Sequence, residues 1–137
     1  MVGLIPNYPM SNTVTTIRII YTVRFVPFNY LPDKIVEILT KNFPTHNIIA
    51  EEKTRLNKGS EYTWVVDPLD GTFSFSIGMP YFAVSIGLLK DNKPILGVIY
   101  HVLAKDFYTG QAGKGAYING KKMHVSAKKD LYYSSIA

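Results

Sequence analysis

The chain contains no cysteine, so a disulfide framework, a thiolate zinc site and a cysteine nucleophile are all excluded. It also lacks any apolar run approaching the roughly 18 residues that span a bilayer. Met1 to Met10 carries two prolines and no basic residue, which is not the pattern of a cleavable leader, so a soluble cytoplasmic protein with no membrane partner is expected. Ser85 sits mid-strand without the glycine pair of a nucleophile elbow, since Ala83 stands where the first glycine would be. Gly110, Gly113 and Gly115 are not followed by the Gly-Lys-Ser/Thr of a phosphate loop. The three histidines, His46, His101 and His124, are far apart and read as surface or turn residues rather than ligands. With no side-chain nucleophile in evidence, water is the expected attacking group.

Charge is also scarce. Charged residues make up 18% of the chain against 47% hydrophobic, which leaves few polar groups to cover a free-standing surface and predicts an exposed apolar face. The net charge of +5 raises nucleic acid as a partner. However, Lys105, Lys114, Lys121, Lys122, Lys128 and Lys129 are spaced along turns and hairpins rather than on one helix face, so they read as solvated lysines and no nucleic-acid partner is expected. Tyr81, Phe82, Tyr100, Phe107 and Tyr108 fall at strand spacing, as core residues or cross-strand pairs do.

At 137 residues the chain has the size of one domain with one core. Ile35, Ile38, Leu39 and Phe43 recur at helical spacing, and Pro32 suits a first turn, which predicts a helix over Pro32 to Asn42 with Glu37 paired to Lys41. Thr13 to Val26 is rich in β-branched residues, with Ile17, Ile19, Tyr21, Val23 and Phe25 on one parity and Arg18 and Arg24 on the other, and predicts a strand at a sheet edge. Downstream the pattern is of hairpins. Tyr81 to Leu89 and Ile95 to Val102 flank Lys90 to Pro94, and Asp106 to Thr109 precedes Gly115 to Ile118; Asn119-Gly120 is a type I′ turn signal leading into Lys122 to Val125.

The acids are concentrated where these elements meet: five of the ten lie between Glu51 and Asp70. Tyr62 to Val66 reads as a buried strand, and Pro68 stiffens a turn that aims Asp67, the Leu69 carbonyl and Asp70 around one point. Asn47 to Ala50 reads as a second strand that delivers Glu51 and Glu52 at its end. An Asp-Pro-Leu-Asp-Gly-Thr segment is also an ordinary capping turn. Gathering several carboxylates without a cation would raise their pKa values through mutual repulsion, and Mg²⁺ prefers a few carboxylates with substrate phosphate and water. Gly71-Thr72 opens a short helix whose free N–H groups favour an anion. Cation site and anion site together point to phosphate chemistry.

The segment Trp64-Val65-Val66-Asp67-Pro68-Leu69-Asp70-Gly71-Thr72 resembles the signature of the inositol monophosphatase family, including its archaeal members that also take fructose 1,6-bisphosphate. The resemblance runs from about Leu31 to Ser126 and continues through Pro80 to Gly87, Gly97 to Tyr100, Gly113 to Tyr117 and Asn119 to Lys121. It implies that Glu51, Asp67, the Leu69 carbonyl and Asp70 are metal ligands for Mg²⁺, with Mn²⁺ as a substitute. Gly71 and Thr72 would bind phosphate, Thr72 and Glu51 would orient the catalytic water, and Glu52 would stand behind the ligands.

Three departures accompany it: Ala50 replaces the usual glycine before the acid pair, Phe28 falls where the family has an acid, and the late Trp-Asp motif has no counterpart before Ala137. Residues 1–30 are therefore read as a divergent segment of one partial domain covering residues 1–137. The fold expected is α+β, a mainly antiparallel sheet with a packed helix, resembling the N-terminal half of a layered αβαβα sugar phosphatase. The function implied is a Mg²⁺-dependent phosphomonoesterase of inositol or sugar phosphates, homodimeric and slowed in this chain alone. The alternative is a non-catalytic remnant or interaction module of the same fold.

Overall fold

A helix with apolar residues every fourth position must bury that stripe, and strands with one apolar face supply the surface for it. The computed structural model describes residues 28–51 and 54–127. The strand expected over Thr13 to Val26, Glu52, and Lys128 and Lys129 lie outside them. After a 3-10 turn at Phe28–Tyr30, helix α1 spans Leu31–Asn42 and buries Leu31, Ile35 and Leu39. It stops ahead of Pro44, where the Phe43 N–H donates back to the Leu39 carbonyl at 2.8 Å. The expected Glu37–Lys41 pair does not form. Glu37 takes Lys34 instead at 2.8 Å, while Lys41 stays in the last turn, where the helix dipole favours a cation.

Among the described residues, eight strands make one sheet: β1 (Asn47–Ala50), β2 (Arg55–Leu56), β3 (Tyr62–Asp70), β4 (Ala83–Lys90), β5 (Lys93–His101), β6 (Asp106–Gln111), β7 (Gly115–Ile118) and β8 (Lys121–Lys122). Their order is β2-β1-β3-β4-β5-β6-β7-β8. The β1–β3 pair is parallel and the other pairs are antiparallel. This is the α+β architecture with a mainly antiparallel sheet that the sequence predicts. The turns match their residues: Asp91 and Asn92 take φ of 48° and 61°, and Asn119-Gly120 takes 48° and 80°, the left-handed pairs of type I′ hairpins.

The two faces of the sheet differ. On one, Ile48, Ala50, Trp64, Val66, Val84, Ile86, Leu88, Leu96, Val98 and Phe107 form the core with the buried stripe of α1. Trp64 is fully buried, and its indole N–H donates to His46 Nδ1 at 3.1 Å. His46 stacks between Phe43 and Tyr62, with ring centroids 5.1 and 4.9 Å away. The structure thus corrects the surface reading of His46, which closes the end of the core.

On the opposite face, cross-strand pairing sets Val65, Gly87, Gly97, Gly110 and Ala116 in one row. Gly87, Gly97, Gly110 and Ala116 of this row line a trough of about 440 Å³, together with residues that include Ile99 and Met123. On this face Val65 and Ile99 are 40% and 43% exposed, so the expected bare apolar face is this one.

Candidate functional site

The site is assembled by the parallel strands β1 and β3. Their ladder runs from Asn47 opposite Thr63 to Ala50 opposite Val66, and the Glu51 N–H extends it by donating to the Val66 carbonyl at 3.1 Å. Parallel strands end on the same side, so Glu51 leaves β1 where β3 presents Asp67. The other end of the ladder is fixed by Asn47. Its amide donates to the Ser60 carbonyl at 2.7 Å and to Thr63 Oγ1 at 3.2 Å, and its oxygen accepts from Lys58 N–H at 2.7 Å.

The Asp67–Asp70 link departs from the expected turn after Val66. The strand continues to Asp70 but bulges: Asp67 stands opposite Ser85 and Asp70 opposite Ala83, so three steps on β3 match two on β4. Pro68, which has no N–H for the ladder, sits in the bulge. Asp67 Oδ1 accepts the Leu69 N–H at 3.0 Å, and the Thr72 hydroxyl donates to the Leu69 carbonyl at 2.9 Å. Gly71 follows with φ 89° and ψ 35° and caps helix α2 (Thr72–Ser76), accepting Phe75 N–H at 3.0 Å.

Electrostatically, the Asp67 carboxyl is pushed above its ordinary value. Burial is the largest cause, and a hydrogen bond shared with Glu51 adds to it. The Leu69 N–H pulls the other way, and the like charge of Glu51 raises it further. Two acids thus meet with no cationic side chain among the causes of the shift. Asp70 ends β3 exposed, and among the described residues no three acids or histidines gather into one group placed to hold a metal. The donor set of two facing carboxylates with the Leu69 carbonyl nearby is all oxygen, and this fits a hard divalent cation. Such a cation would relieve the repulsion that raises Asp67.

One residue here escaped the sequence reading. His101 bonds through Nε2 to the Pro80 carbonyl at 2.9 Å, beside the segment that leads away from α2. Its signal was its strand register relative to Asp70, which a hairpin bulge conceals.

Comparison with known proteins agrees with this geometry. The inositol monophosphatase family matches residues 31–137. A fructose-1,6-bisphosphatase/inositol-1-monophosphatase of Aquifex aeolicus is 41% identical over 104 residues, 76% of this chain and 39% of that protein. The Nus factor SuhB of Haemophilus influenzae is 36% identical over 105 residues, again 76% of this chain and 39% of the relative. The solved inositol monophosphatase of Anabaena superposes with a TM-score of 0.76 at 36% identity, covering 88% of this chain and 53% of that one. The chain therefore spans about two fifths of the length of these curated relatives.

Proposed function

Because this chain belongs to the inositol monophosphatase family over residues 31–137, we propose that it carries the metal and phosphate half-site of a phosphomonoesterase acting on inositol monophosphate or fructose 1,6-bisphosphate. The observation that supports this most is the meeting of Glu51 and Asp67 at the ends of two parallel strands, one bulge away from the Gly71-Thr72 turn. In this reading Glu51, Asp67, Asp70 and the Leu69 carbonyl hold Mg²⁺, or Mn²⁺ in its place. When bound, the ion supplies Lewis-acid stabilisation of the phosphoryl oxygens and acidifies water.

The chain's own groups do the rest. The N–H groups following Gly71 receive phosphate oxygens at the open end of α2. The Thr72 hydroxyl spends its proton on the Leu69 carbonyl, so its lone pairs remain free to orient an attacking water. Glu51, exposed beside Asp67, takes the proton that water sheds. The reading includes a cytoplasmic homodimer acting on a small phosphate ester. No helix among the described residues is long and apolar enough to cross a membrane.

Phosphate release from inositol 1-phosphate and from fructose 1,6-bisphosphate, measured with and without Mg²⁺, tests the proposal. Activity that requires Mg²⁺ and disappears in Asp67→Asn supports it; Mg²⁺-dependent activity that Asp67→Asn leaves intact overturns the site. A second reading, an interaction module of the same fold without catalysis, draws on the bare trough and on the exposed position of Asp70 outside the acid pair. Absence of metal-dependent phosphate release together with retained folding would favour it.

A further inference from the structure

We propose that His101 is a positioning residue for the Gly71-Thr72 turn, acting through its hydrogen bond to the Pro80 carbonyl. The strap over residues 77–82 leaves α2 and runs into β4. Its beginning is tied by Ile77 N–H to the Phe73 carbonyl at 3.2 Å, Gly78 N–H to the Phe75 carbonyl at 3.1 Å and Met79 N–H to the Ser74 carbonyl at 2.8 Å. Its end is tied by Phe82, which is buried and meets the Phe75 ring edge-on at 5.0 Å. Between these anchors lie Pro80, which has no N–H to donate, and Tyr81, whose side chain is 68% exposed. His101 Nε2 holds that middle section by donating to the Pro80 carbonyl at 2.9 Å.

The strap presses directly on the turn. A Cβ built on Gly71 would lie 2.6 Å from the Tyr81 carbonyl oxygen and 3.3 Å from Phe82 Cα, so the backbones of strap and turn are already in contact. The sheet brings the same parts into one row: Asp70 pairs with Ala83, and Ala83 pairs with His101. His101 is thus registered two strands from Asp70 while gripping the segment that rests on Gly71. Without that grip the Tyr81 carbonyl can lift, and the Gly71 backbone loses the wall that fixes its left-handed conformation and the direction of the N–H groups beyond it.

This inference rests on the reading of Gly71-Thr72 as the phosphate end of the site, so the experiment has one arm that needs no ligand. Hydrogen exchange is followed at Phe75, Ile77 and Met79 in the parent chain, His101→Ala and His101→Gln. Mn²⁺ and inorganic phosphate binding are measured calorimetrically on the same proteins. His101→Ala is expected to exchange those amides about two- to tenfold faster, as loss of one net hydrogen bond implies, with unchanged protection in β5 and β6. Phosphate affinity in the presence of Mn²⁺ should fall by a similar factor, and glutamine, which retains a donor, should restore both. Unchanged exchange in His101→Ala overturns the proposal, as does acceleration spread evenly over the sheet. A parent chain that binds no phosphate with Mn²⁺ would instead refute the site reading, leaving the exchange arm to decide the role of His101.

Discussion

Replacing Gly71 with alanine should damage this fold far more than the same change at any glycine of the trough floor. At Gly71 two costs add. The left-handed φ of 89° costs a residue with a Cβ about 1–2 kcal/mol. The new methyl would also stand 2.6 Å from the Tyr81 carbonyl, a backbone atom that cannot rotate aside, and overpacking of this kind costs about 1–3 kcal/mol. The expected loss is about 2–5 kcal/mol out of the roughly 5–15 kcal/mol that stabilises a domain. At Gly97, by contrast, nothing lies within 4 Å of an added methyl and φ is not positive, so alanine there should be neutral or slightly stabilising. Urea unfolding followed by Trp64 fluorescence separates the two, since Trp64 is the sole tryptophan and fully buried. With a slope of about 1–3 kcal/mol per molar urea, Gly71→Ala should lower the midpoint by on the order of 1–2 M. A Gly71→Ala midpoint indistinguishable from that of Gly97→Ala would show that the strap does not rest on the turn as described.

Asp67→Asn should stabilise the metal-free chain near neutral pH. The carboxyl is raised in the fold, so the native state gives up stability as pH climbs from the ordinary carboxylate value through the raised one, a loss that asparagine escapes. The same variant should lose the rise in thermal midpoint that Mn²⁺ gives the parent, and a parent that melts above Asp67→Asn without metal would contradict the account. His46, whose pKa is lowered by burial, contributes stability that is present above its unfolded value of 6.5 and declines as pH falls below it. Urea midpoints taken on either side of that value should converge in His46→Gln, and an unchanged pH response would contradict the stacked, neutral imidazole. The chain alone, saturated with Mg²⁺, should hydrolyse inositol 1-phosphate at least about 10²-fold more slowly than a full-length relative, because one missing donor to a transition state already costs on the order of 10²–10³ in rate. Parity in that assay would show that the site is complete without further residues.

Much of this fold was legible because local chemistry and global demand agree. The stripe through Ile35 and Leu39, the Asn-Gly turn at 119–120 and the alternation along Val84, Ile86 and Leu88 each admit one structure. What remained hidden depended on register. Continuing the ladder from the Lys90–Lys93 pair without interruption would set Ala83 opposite Tyr100, but an irregularity between Leu88 and Leu89 moves the partner to His101. A bulge of this kind leaves no mark in composition, so the grip of His101 on Pro80 could not be read from spacing. The bulge at Asp67–Asp70 was half legible: Pro68 announced a break, but the strand carries on through it because Pro68 is buried and Asp70 still pairs with Ala83. The burial of His46 was missed because its partners, Phe43, Tyr62 and Trp64, come from separate stretches of chain.

The parallel pairing of β1 with β3 has a kinetic consequence. Strands β3 to β8 follow one another as neighbours in the sheet, so each can zip onto its predecessor after closing a short connection. β1 cannot join in that way. It lies on the far side of β3, antiparallel to β2, and is secured only once the connection at 57–61 has crossed over and been gathered by Asn47. Asp67 belongs to the β3–β8 meander, so Glu51 and Asp67 are expected to meet only when β1 docks onto β3. The site is therefore split between two folding units, Asp67 and Asp70 arriving with the meander and Glu51 with the parallel strand that docks onto it.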